Sequence, residues 1–225
     1  MEAAELARRY PRLYHMAHTD SWPAIAAHGL LSTSALLDLF EVSEEKRYHI
    51  ESERRPDSVV ITHPRLGRAV IRDNKPISDT MLARCLVDVD PPSYYRLLNQ
   101  RAFFWLTEQR LETLLSARAY RYETHLVITV ETSALLKRHA DAVTLSAINS
   151  GSTAYRAMPR GSATFVPLPD YDYEARRRLR GSQGAIAELA VEHGLDDVVE
   201  IALRAERRSP DGSRELLWRR GGVAL

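Results

Sequence analysis

Cysteine is almost absent from the sequence, since Cys85 is the single cysteine among 225 residues. One cysteine excludes an intramolecular disulfide and any metal site built from several cysteines, and such usage is typical of a reducing cytoplasm. Long apolar runs are also lacking. Residues 1–14 are charged and carry no apolar stretch of a leader peptide, and no later run approaches the roughly 20 apolar residues of a membrane span. We therefore expect a soluble, cytoplasmic protein with no membrane partner.

Net charge is small as well. The 31 basic and 30 acidic residues leave a formal charge of +1, so the field of the whole molecule does not favour nucleic acid or a membrane as a partner. Hydrophobic residues make up 44% of the chain, which is ample for one sizeable core. Because the sequence contains neither an internal repeat nor a low-complexity linker, we expect a single domain over residues 1–225.

Several familiar motifs are missing. The sequence contains no phosphate-binding loop, no GxGxxG and no GxSxG, which removes the usual marks of nucleotide hydrolysis, Rossmann redox chemistry and hydrolase triads. Eight histidines are present, but His15 and His18 lie three residues apart without a further ligand that completes a metal-binding motif. We therefore expect no metal.

Short apolar runs alternate with helical segments in an irregular order, which predicts an α+β fold rather than a regular parallel βαβ array. The charged segment 41–55 is predicted to be a solvated helix or loop. Caps and apolar spacing predict helices over residues 2–10, 21–29, 32–40, 78–86, 91–98 and 108–117. Strands are predicted over residues 13–16, 59–61, 70–71, 102–106, 125–131, 143–148, 185–191 and 199–205, with a terminal hairpin over 209–218.

Two distant segments resemble one family. The first contains Tyr14-His15, His18-Thr19-Asp20, Trp22, Ile25 and His28-Gly29-Leu30-Leu31-Ser32, and the second contains Ala187-Glu188-Leu189-Ala190-Val191, Leu195-Asp196-Asp197-Val198-Val199 and Ile201-Ala202-Leu203. Together they resemble the DarT-type ADP-ribosyltransferases, which are toxins that modify DNA bases, and more distantly the RNA 2′-phosphotransferases. The middle of the chain, around Arg72–Pro76, Asn99–Trp105, Asn149–Gly151 and Arg160-Gly161, resembles an uncharacterised group of bacterial domains.

The resemblance implies an ADP-ribosyltransferase-like split β-sheet flanked by helices and a transferase of the glycosyltransferase type. NAD would be the co-substrate, and its ADP-ribose would go to a macromolecular acceptor, with a nucleic-acid base of DNA or RNA as the first choice. The family further implies Glu188 as the catalytic carboxylate and His15 as the residue that positions the NAD ribose. A toxin or defence role implies an antitoxin or hydrolase partner.

Further residues are assigned to NAD on the same basis or on their chemistry. Breaking the N-glycosidic bond of NAD builds positive charge on the ribose, which a buried carboxylate stabilises. Arginine binds a diphosphate through planar donors, and an aromatic ring stacks on nicotinamide. The predicted NAD-binding residues are Tyr14, His15, His18, Gly29, Leu30, Arg72, Arg101, Trp105 and Arg110, with Tyr155 as a further stacking candidate.

Contacts with the acceptor are predicted for a smaller polar set, in which the run 176–180 is the best candidate for a nucleic-acid backbone. The predicted acceptor-binding residues are Asn149, Ser150, Arg160 and Arg176. Structural roles compete with these functions: a hydrogen-bonded His15, a solvent-facing Glu188, an Arg72-Asp73 ion pair, Phe103–Trp105 as core, 149–151 as a simple turn, and 176–180 as a solvated face. Ile186 and Ala190 are expected to share the face of Glu188, because side chains alternate along a strand.

Two other functions remain open from the sequence. One is a non-catalytic module on the same fold that binds a nucleotide or nucleic acid, and the other is RNA 2′-phosphate transfer. The enzyme hypothesis makes a geometric prediction that a structure tests directly. Although they lie far apart in sequence, His15 and Glu188 should face one cleft.

Overall fold

The computed structural model of the chain describes residues 1–153 and 157–222. The helices in this part are α1 (Ala3–Arg9), α2 (Trp22–His28), α3 (Thr33–Leu39), α4 (Glu44–Ser52), α5 (Asp79–Cys85), α6 (Pro91–Asn99), α7 (Glu108–Leu115), α8 (Thr132–His139), α9 (Tyr173–Gly184) and α10 (Val198–Ile201). The strands are β1 (Arg12–His18), β2 (Leu30–Leu31), β3 (Val59–His63), β4 (Gly67–Ile71), β5 (Arg101–Phe104), β6 (His125–Glu131), β7 (Val143–Ser146), β8 (Val166–Pro167), β9 (Glu188–Glu192), β10 (Gly194–Leu195), β11 (Ala202–Arg208) and β12 (Arg214–Arg219).

The strands form two antiparallel four-stranded sheets and two antiparallel pairs. One large sheet has the order β1-β6-β11-β12 and the other has the order β5-β9-β7-β8. The pairs are β3 with β4 and β10 with β2. The prediction of a mixed α+β fold is confirmed at this level.

The two large sheets meet at the edges formed by β1 and β5. The backbone of Tyr14 donates to the carbonyl of Trp105 at 2.9 Å, and the backbone of Trp105 donates in return at 2.8 Å. One hydrophobic cluster continues across this junction, since it contains Leu13 and Ile128 from the first sheet and Leu189 from the second. The bridge brings the first strand of the chain beside the late strand β9.

Two capped helices pack beside this junction, α6 against β5 and α7 against β1. Asp90 Oδ1 accepts from the backbone of Ser93 at 2.8 Å at the start of α6, whose first turn is also favoured by two prolines. Thr107 Oγ1 accepts from the backbone of Arg110 at 3.3 Å at the start of α7. Helix α7 then buries Leu111, and this packing fixes the position of Arg110.

Several predicted boundaries and environments are wrong. Residues 102–106 were expected to form a central strand, but β5 lies at the end of its sheet and is covered there by β1. The segment 41–55 contains α4, and it is not fully solvated because Glu51 and Arg55 are buried. Residues 199–205 begin as the short helix α10 before β11 starts at Ala202.

The segment that precedes Glu188 also differs from the prediction. Strand β9 begins at Glu188, whereas residues 185–191 were expected to be one strand. Ile186 consequently packs with Leu189 and Val191 in the main core, while Ala190 lies in a separate cluster with Phe165. Of the two expected neighbours, only Ala190 shares the face of Glu188, because strand alternation does not extend back to residue 186.

Among the described residues, none of the helices is both long enough and apolar enough to cross a bilayer.

Gly29 provides a test of the close approach between β2 and β10. Its φ is +91°, and a Cβ there would lie 2.5 Å from Asp196 Cα and 2.8 Å from the Leu195 carbonyl oxygen. Gly29→Ala should therefore lower the free energy of unfolding by about 3 kcal/mol, measured by urea denaturation. Gly67→Ala is the matched control, since Gly67 has a φ of +80° with no atom within 4 Å, and it should cost about 1 kcal/mol. Equal losses in the two variants would contradict the close approach.

Candidate functional site: a cationic cavity at the junction of the two sheets

A cavity of about 1780 Å³ lies beside the junction of the two sheets. Both His15 and Glu188 line it, together with the turn 72–76 and the turn 149–152. The cavity thus joins segments from the start, the middle and the end of the chain. The predicted geometric relation, in which His15 and Glu188 face one cleft, is present in the structure.

Glu188 contributes a buried carboxylate to the cavity wall. The residue is 4% exposed, and its Oε2 accepts from the backbone of Ser150 at 3.0 Å and from Ser150 Oγ at 2.6 Å. Burial raises the pKa of Glu188 to about 7, although the two Ser150 donors and the charges of Arg160 and Arg110 oppose that rise. Glu188 does not point to bulk solvent, and a carboxylate that changes charge near neutral pH suits proton transfer.

The turn that carries Ser150 is held from behind. Tyr94 Oη donates to the Ser150 carbonyl at 3.2 Å, and Arg160 Nη1 donates to the same oxygen at 2.9 Å and to the Ser152 carbonyl at 3.0 Å. Ser150 and Arg160 were predicted to bind the acceptor. The structure places Ser150 against Glu188 and Arg160 against the turn, while Asn149 is exposed and lines the cavity.

His15 lies in β1 with its ring fixed against β5. Its Nδ1 is 2.8 Å from the Phe103 carbonyl oxygen, and its ring centroid is 5.7 Å from that of Phe104. Because a carbonyl oxygen only accepts, Nδ1 carries the proton and Nε2 is an acceptor in the neutral ring. Burial is the main reason that the pKa of His15 is lowered to about 4; the hydrogen bond to the Phe103 carbonyl opposes the shift and the charge of Arg72 adds to it, so the ring is neutral at pH 7. A neutral, oriented imidazole suits hydrogen bonding to a hydroxyl group.

Arg72 lines the cavity and has one buried donor nitrogen that lacks a partner among the described residues. Its guanidinium carbon lies 4.3 Å from the centroid of the Tyr120 ring, and its Nη1 approaches the Met16 carbonyl at only 3.5 Å. Its Nη2 is buried and has no hydrogen-bond partner among the described residues. The expected alternative, an Arg72-Asp73 ion pair, is absent from the described contacts, since Asp73 instead accepts from Tyr120 Oη at 3.0 Å and lies 3.8 Å from Lys75 Nζ.

The other two arginines predicted to bind the diphosphate already have partners. Arg101 Nη2 lies 2.5 Å from Glu192 Oε1, and its Nη1 donates to the Leu97 carbonyl at 2.8 Å. Arg110 Nη1 donates to the Ala187 carbonyl at 3.1 Å and its Nη2 to the Gln183 carbonyl. Both side chains line the cavity, but they mainly hold the two ends of β9, so Arg72 is the best placed of the three to bind an anion.

The remaining predicted NAD-binding residues divide into two groups. His18, Gly29, Leu30 and Trp105 line the cavity. Tyr14 does not appear among its described lining residues, because it points to the opposite side of β1 from His15 and packs with Leu111 and Tyr120. The assignment of Tyr14 as a nicotinamide-stacking residue is therefore corrected. Tyr155, the further stacking candidate, lies outside the described residues.

The basic run 176–180 in α9, predicted as a whole to be the candidate for a nucleic-acid backbone, reaches the cavity through Arg180. Arg176 is exposed and is not among the described lining residues, so its assignment to the acceptor stays a prediction. Arg180, one turn later, lines the cavity and donates from Nη1 to the Ala147 carbonyl at 2.6 Å. The i to i+4 spacing of the two arginines was the available signal, but the end that faces the cavity depends on the packing of α9.

Arg55 is a residue that the sequence did not reveal. It was expected to lie in a solvated segment, yet its buried guanidinium donates from Nη2 to Asn99 Oδ1 at 2.9 Å and from Nε to the Arg72 carbonyl at 3.2 Å. Its backbone nitrogen also donates to Asn74 Oδ1 at 2.6 Å. Arg55 thereby holds the turn that presents Arg72. Burial lowers the pKa of Arg55 to about 10, which leaves it charged at pH 7.

Positive charge is concentrated in the cavity although the chain is almost neutral. Asp73, Asp79 and Glu188 are the acidic side chains among its described lining residues. The basic lining residues are Arg54, Arg55, Arg72, Lys75, Arg101, Arg110, Arg118, Arg160 and Arg180. Within the described part of the chain, only Lys75 and Arg101 of these nine have a carboxylate oxygen within 4.0 Å. Such a cavity attracts an anionic ligand.

A cluster of possible metal ligands lies away from these residues. His139, Asp196 and Asp197 bring ligand atoms within 4.8 Å of one another, and none of them is among the described residues that line the cavity. Asp197 is already hydrogen-bonded to His139 Nε2 at 2.8 Å and to Arg138 Nη1 at 2.8 Å. The expectation that the chain needs no metal stays a prediction.

Glu188 should make stability depend on pH in a predictable way. Its pKa rises from 4.5 to about 7 on folding, so the stabilisation from binding its proton is complete below pH 4.5 and is lost as pH rises to about 7. Glu188→Gln removes this titration. The unfolding free energy of the variant minus that of the wild type should therefore grow by about 3 kcal/mol between pH 4.5 and 7.5. Urea denaturation of both proteins across that range measures it, and a difference that does not change with pH would contradict the burial of Glu188.

Comparison with known proteins gives a family match over most of the chain. The family model described as a family of unknown function, DUF7002, matches residues 11–202, which include β1 with His15 and β9 with Glu188. No curated protein matches the chain. Because the match covers most of the 225 residues, the chain belongs to the DUF7002 family.

Proposed function

We propose that the protein is an NAD-dependent ADP-ribosyltransferase that transfers ADP-ribose to a macromolecular acceptor, with a nucleic-acid base as the preferred acceptor. One observation carries the proposal: a neutral His15 and a buried Glu188 with a pKa of about 7 line the same cationic cavity. The resemblance of the two segments that hold these residues to DarT-type enzymes supports the same reading. Two antiparallel sheets that meet at β1 and β5 are compatible with a split sheet.

The residues of the cavity fit NAD in charge and in hydrogen-bonding capacity. Three lining residues have a buried polar atom without a hydrogen-bond partner among the described residues, namely Ser21 Oγ, Arg72 Nη2 and Arg101 Nε. Orphaned buried donors are costly unless a ligand or water satisfies them. The unneutralised arginines suit the diphosphate, and Trp105 offers an aromatic surface to a planar ring.

His15 and Glu188 would divide the work at the ribose. NAD supplies a ribosyl carbon whose leaving group, nicotinamide, departs with the bonding electron pair. Because His15 Nδ1 is occupied by the Phe103 carbonyl, its Nε2 is the atom that accepts from a ribose hydroxyl and fixes the sugar. Because Glu188 Oε2 takes both donors of Ser150, Oε1 is the oxygen that faces the reacting groups.

Transfer of ADP-ribose to the acceptor needs a base, and the Glu188 carboxylate would supply it. As the bond between ribose and nicotinamide breaks, positive charge grows on the sugar and the ionised Glu188 stabilises it. The acceptor atom forms the new bond to the ribosyl carbon, and its proton passes to Glu188 Oε1. A carboxylate with a pKa of about 7 is suited to take and return that proton at neutral pH. A toxin or defence role, with an antitoxin or hydrolase as partner, forms part of the proposal.

Turnover of NAD tests the proposal directly. Wild-type protein incubated with labelled NAD and separate DNA, RNA and protein pools should release nicotinamide and label one pool. Glu188→Gln should lower the rate by about 100-fold or more while NAD still binds, because the base and the charge are lost but the shape is kept. The wild-type rate should rise between about pH 6 and pH 8 as Glu188 ionises.

The outcomes separate the candidate functions. Binding of NAD by calorimetry without turnover in any pool would favour a non-catalytic nucleotide-binding module on this fold. If the protein neither binds NAD nor turns it over, the proposed function is overturned. A full rate in Glu188→Gln would show that the site is assigned to the wrong carboxylate.

Arg72 should be the main anchor of the NAD diphosphate. Arg72→Gln removes the charge and the unpartnered Nη2 donor, so the Kd for NAD should rise by about tenfold or more, measured by calorimetry. Arg65→Gln is the matched control, because Arg65 is exposed and is not among the described lining residues, and its Kd should equal that of the wild type. Equal affinities in the two variants would remove Arg72 from the diphosphate site.

A further inference from the structure

Arg160 is a buried cation behind the Glu188 side of the cavity. It is 3% exposed, and its donors are used on backbone carbonyls: Nη1 on Ser150 and Ser152, and Nε on Met158 at 3.1 Å. No carboxylate oxygen of a described residue lies within 4.0 Å of it. Burying a guanidinium without a close counterion is costly, so the burial of Arg160 needs compensation from the contacts that it makes in the site.

The backbone of Arg160 is tied to the end of α5. Its nitrogen donates to the Cys85 carbonyl at 2.9 Å, and its carbonyl accepts from the backbone of Val87 at 3.1 Å, which gives a parallel bridge between Leu86 and Arg160. The guanidinium therefore extends from a fixed point toward the turn 149–152. This anchoring lets Arg160 set where that turn lies.

Ser150 connects Arg160 to Glu188. The residue is 1% exposed, its carbonyl accepts from Arg160 and Tyr94, and its backbone nitrogen and hydroxyl both donate to Glu188 Oε2. Holding the Ser150 carbonyl fixes the orientation of the residue whose backbone nitrogen and hydroxyl bind Glu188. The order of contacts is Arg160, Ser150, Glu188.

The groups that face Glu188 come from several elements. Ser150 and Arg160 belong to the loop between β7 and β8, Arg110 to α7, and Tyr94 to α6, while Ser146 is the cross-strand neighbour on β7. Arg160 and Arg110 contribute positive charge, and the other three are neutral at pH 7. Arg110 donates to the carbonyls of residues 183 and 187 and makes none of the described hydrogen bonds to Ser150, so of these two cations Arg160 is the one that combines charge with a hold on the turn.

We propose that Arg160 is a positioning residue for Glu188, which acts through Ser150 to fix the carboxylate and to favour its ionised form. The inference rests on the proposed function in one respect, namely that Glu188 is the catalytic carboxylate. Arg160 thus acts on the carbonyls of the turn 149–152. This role takes the place of the acceptor contact that the sequence predicted for Arg160.

Direct titration of Glu188 tests the inference without NAD. The side-chain carboxyl carbon of Glu188 is followed by NMR in protein labelled at glutamate, and the signal is assigned by its loss in Glu188→Gln. The wild-type midpoint should lie near pH 7. Arg160→Gln keeps a donor but loses the charge, and it should raise the midpoint by about one pH unit or more. Arg160→Lys keeps the charge and should leave the midpoint within about half a unit of the wild type.

Two further variants keep the test decisive. Ser150→Ala removes the hydroxyl donor with little risk to folding, and it should also raise the midpoint. Arg84→Gln changes the same charge on the exposed side of α5, outside the described lining of the cavity, and it should leave the midpoint unchanged. A purely structural Arg160 would alter stability in both Arg160 variants without separating their midpoints.

The results that overturn the inference are specific. They are a wild-type midpoint in Arg160→Gln, equal shifts in Arg160→Gln and Arg160→Lys, or, if Arg160→Gln does not fold, a wild-type midpoint in Ser150→Ala. Failure of the proposed function would appear elsewhere, as absent NAD turnover in wild-type protein whose Glu188 titrates as expected. The two failures are therefore distinguishable.

Discussion

The carboxylate of Glu188 stands at the first residue of β9, almost out of contact with water, with both donors of Ser150 on one of its oxygens. An ionised carboxylate in that place is expensive, and burial accordingly raises its pKa to about 7. The surrounding contacts reduce the free-energy cost of ionising Glu188 but do not remove it. Arg160 and Arg110 supply charge at a distance, and among the described residues no cation lies within 4.0 Å of the carboxylate to form a close pair that would hold it permanently ionised. The group is thus kept able to change its charge near neutral pH.

Five of the arginines that line the cavity share one mode of bonding. Arg54, Arg55, Arg110, Arg160 and Arg180 all donate to backbone carbonyls of loops that border the cavity. A carbonyl satisfies a guanidinium donor but does not neutralise its charge. The same side chains therefore order the loops and leave a positive potential in the cavity, which explains how a chain of net charge +1 presents a cationic site.

Local patterns in the sequence predicted much of the framework. The cap at Thr107, the prolines before Tyr94 and the glycine after α2 mark helix ends through contacts within a few residues, and the structure has those helices. Alternating apolar residues predicted β6. The hairpin predicted over residues 209–218 begins earlier in the structure, because β12 pairs with β11, which was predicted as a separate strand. The extent of β9 was overestimated, because the apolar character of residues 185–187 reflects burial of a connecting segment rather than strand pairing.

The resemblance to a known family singled out His15 and Glu188 as residues to place. By itself, the sequence determined most of the element types and the α+β class. These depend on short-range periodicity, capping and chemical type, which are readable along the chain. Only the tertiary structure decided that the two residues share a cavity, that Tyr14 turns away from it, and that Arg101 is paired with Glu192 while Arg72 has no carboxylate partner among the described residues. The physical reason is that hydrogen bonds, desolvation and charge pairing depend on which distant segments meet, and the spacing of residues along the chain does not encode that meeting.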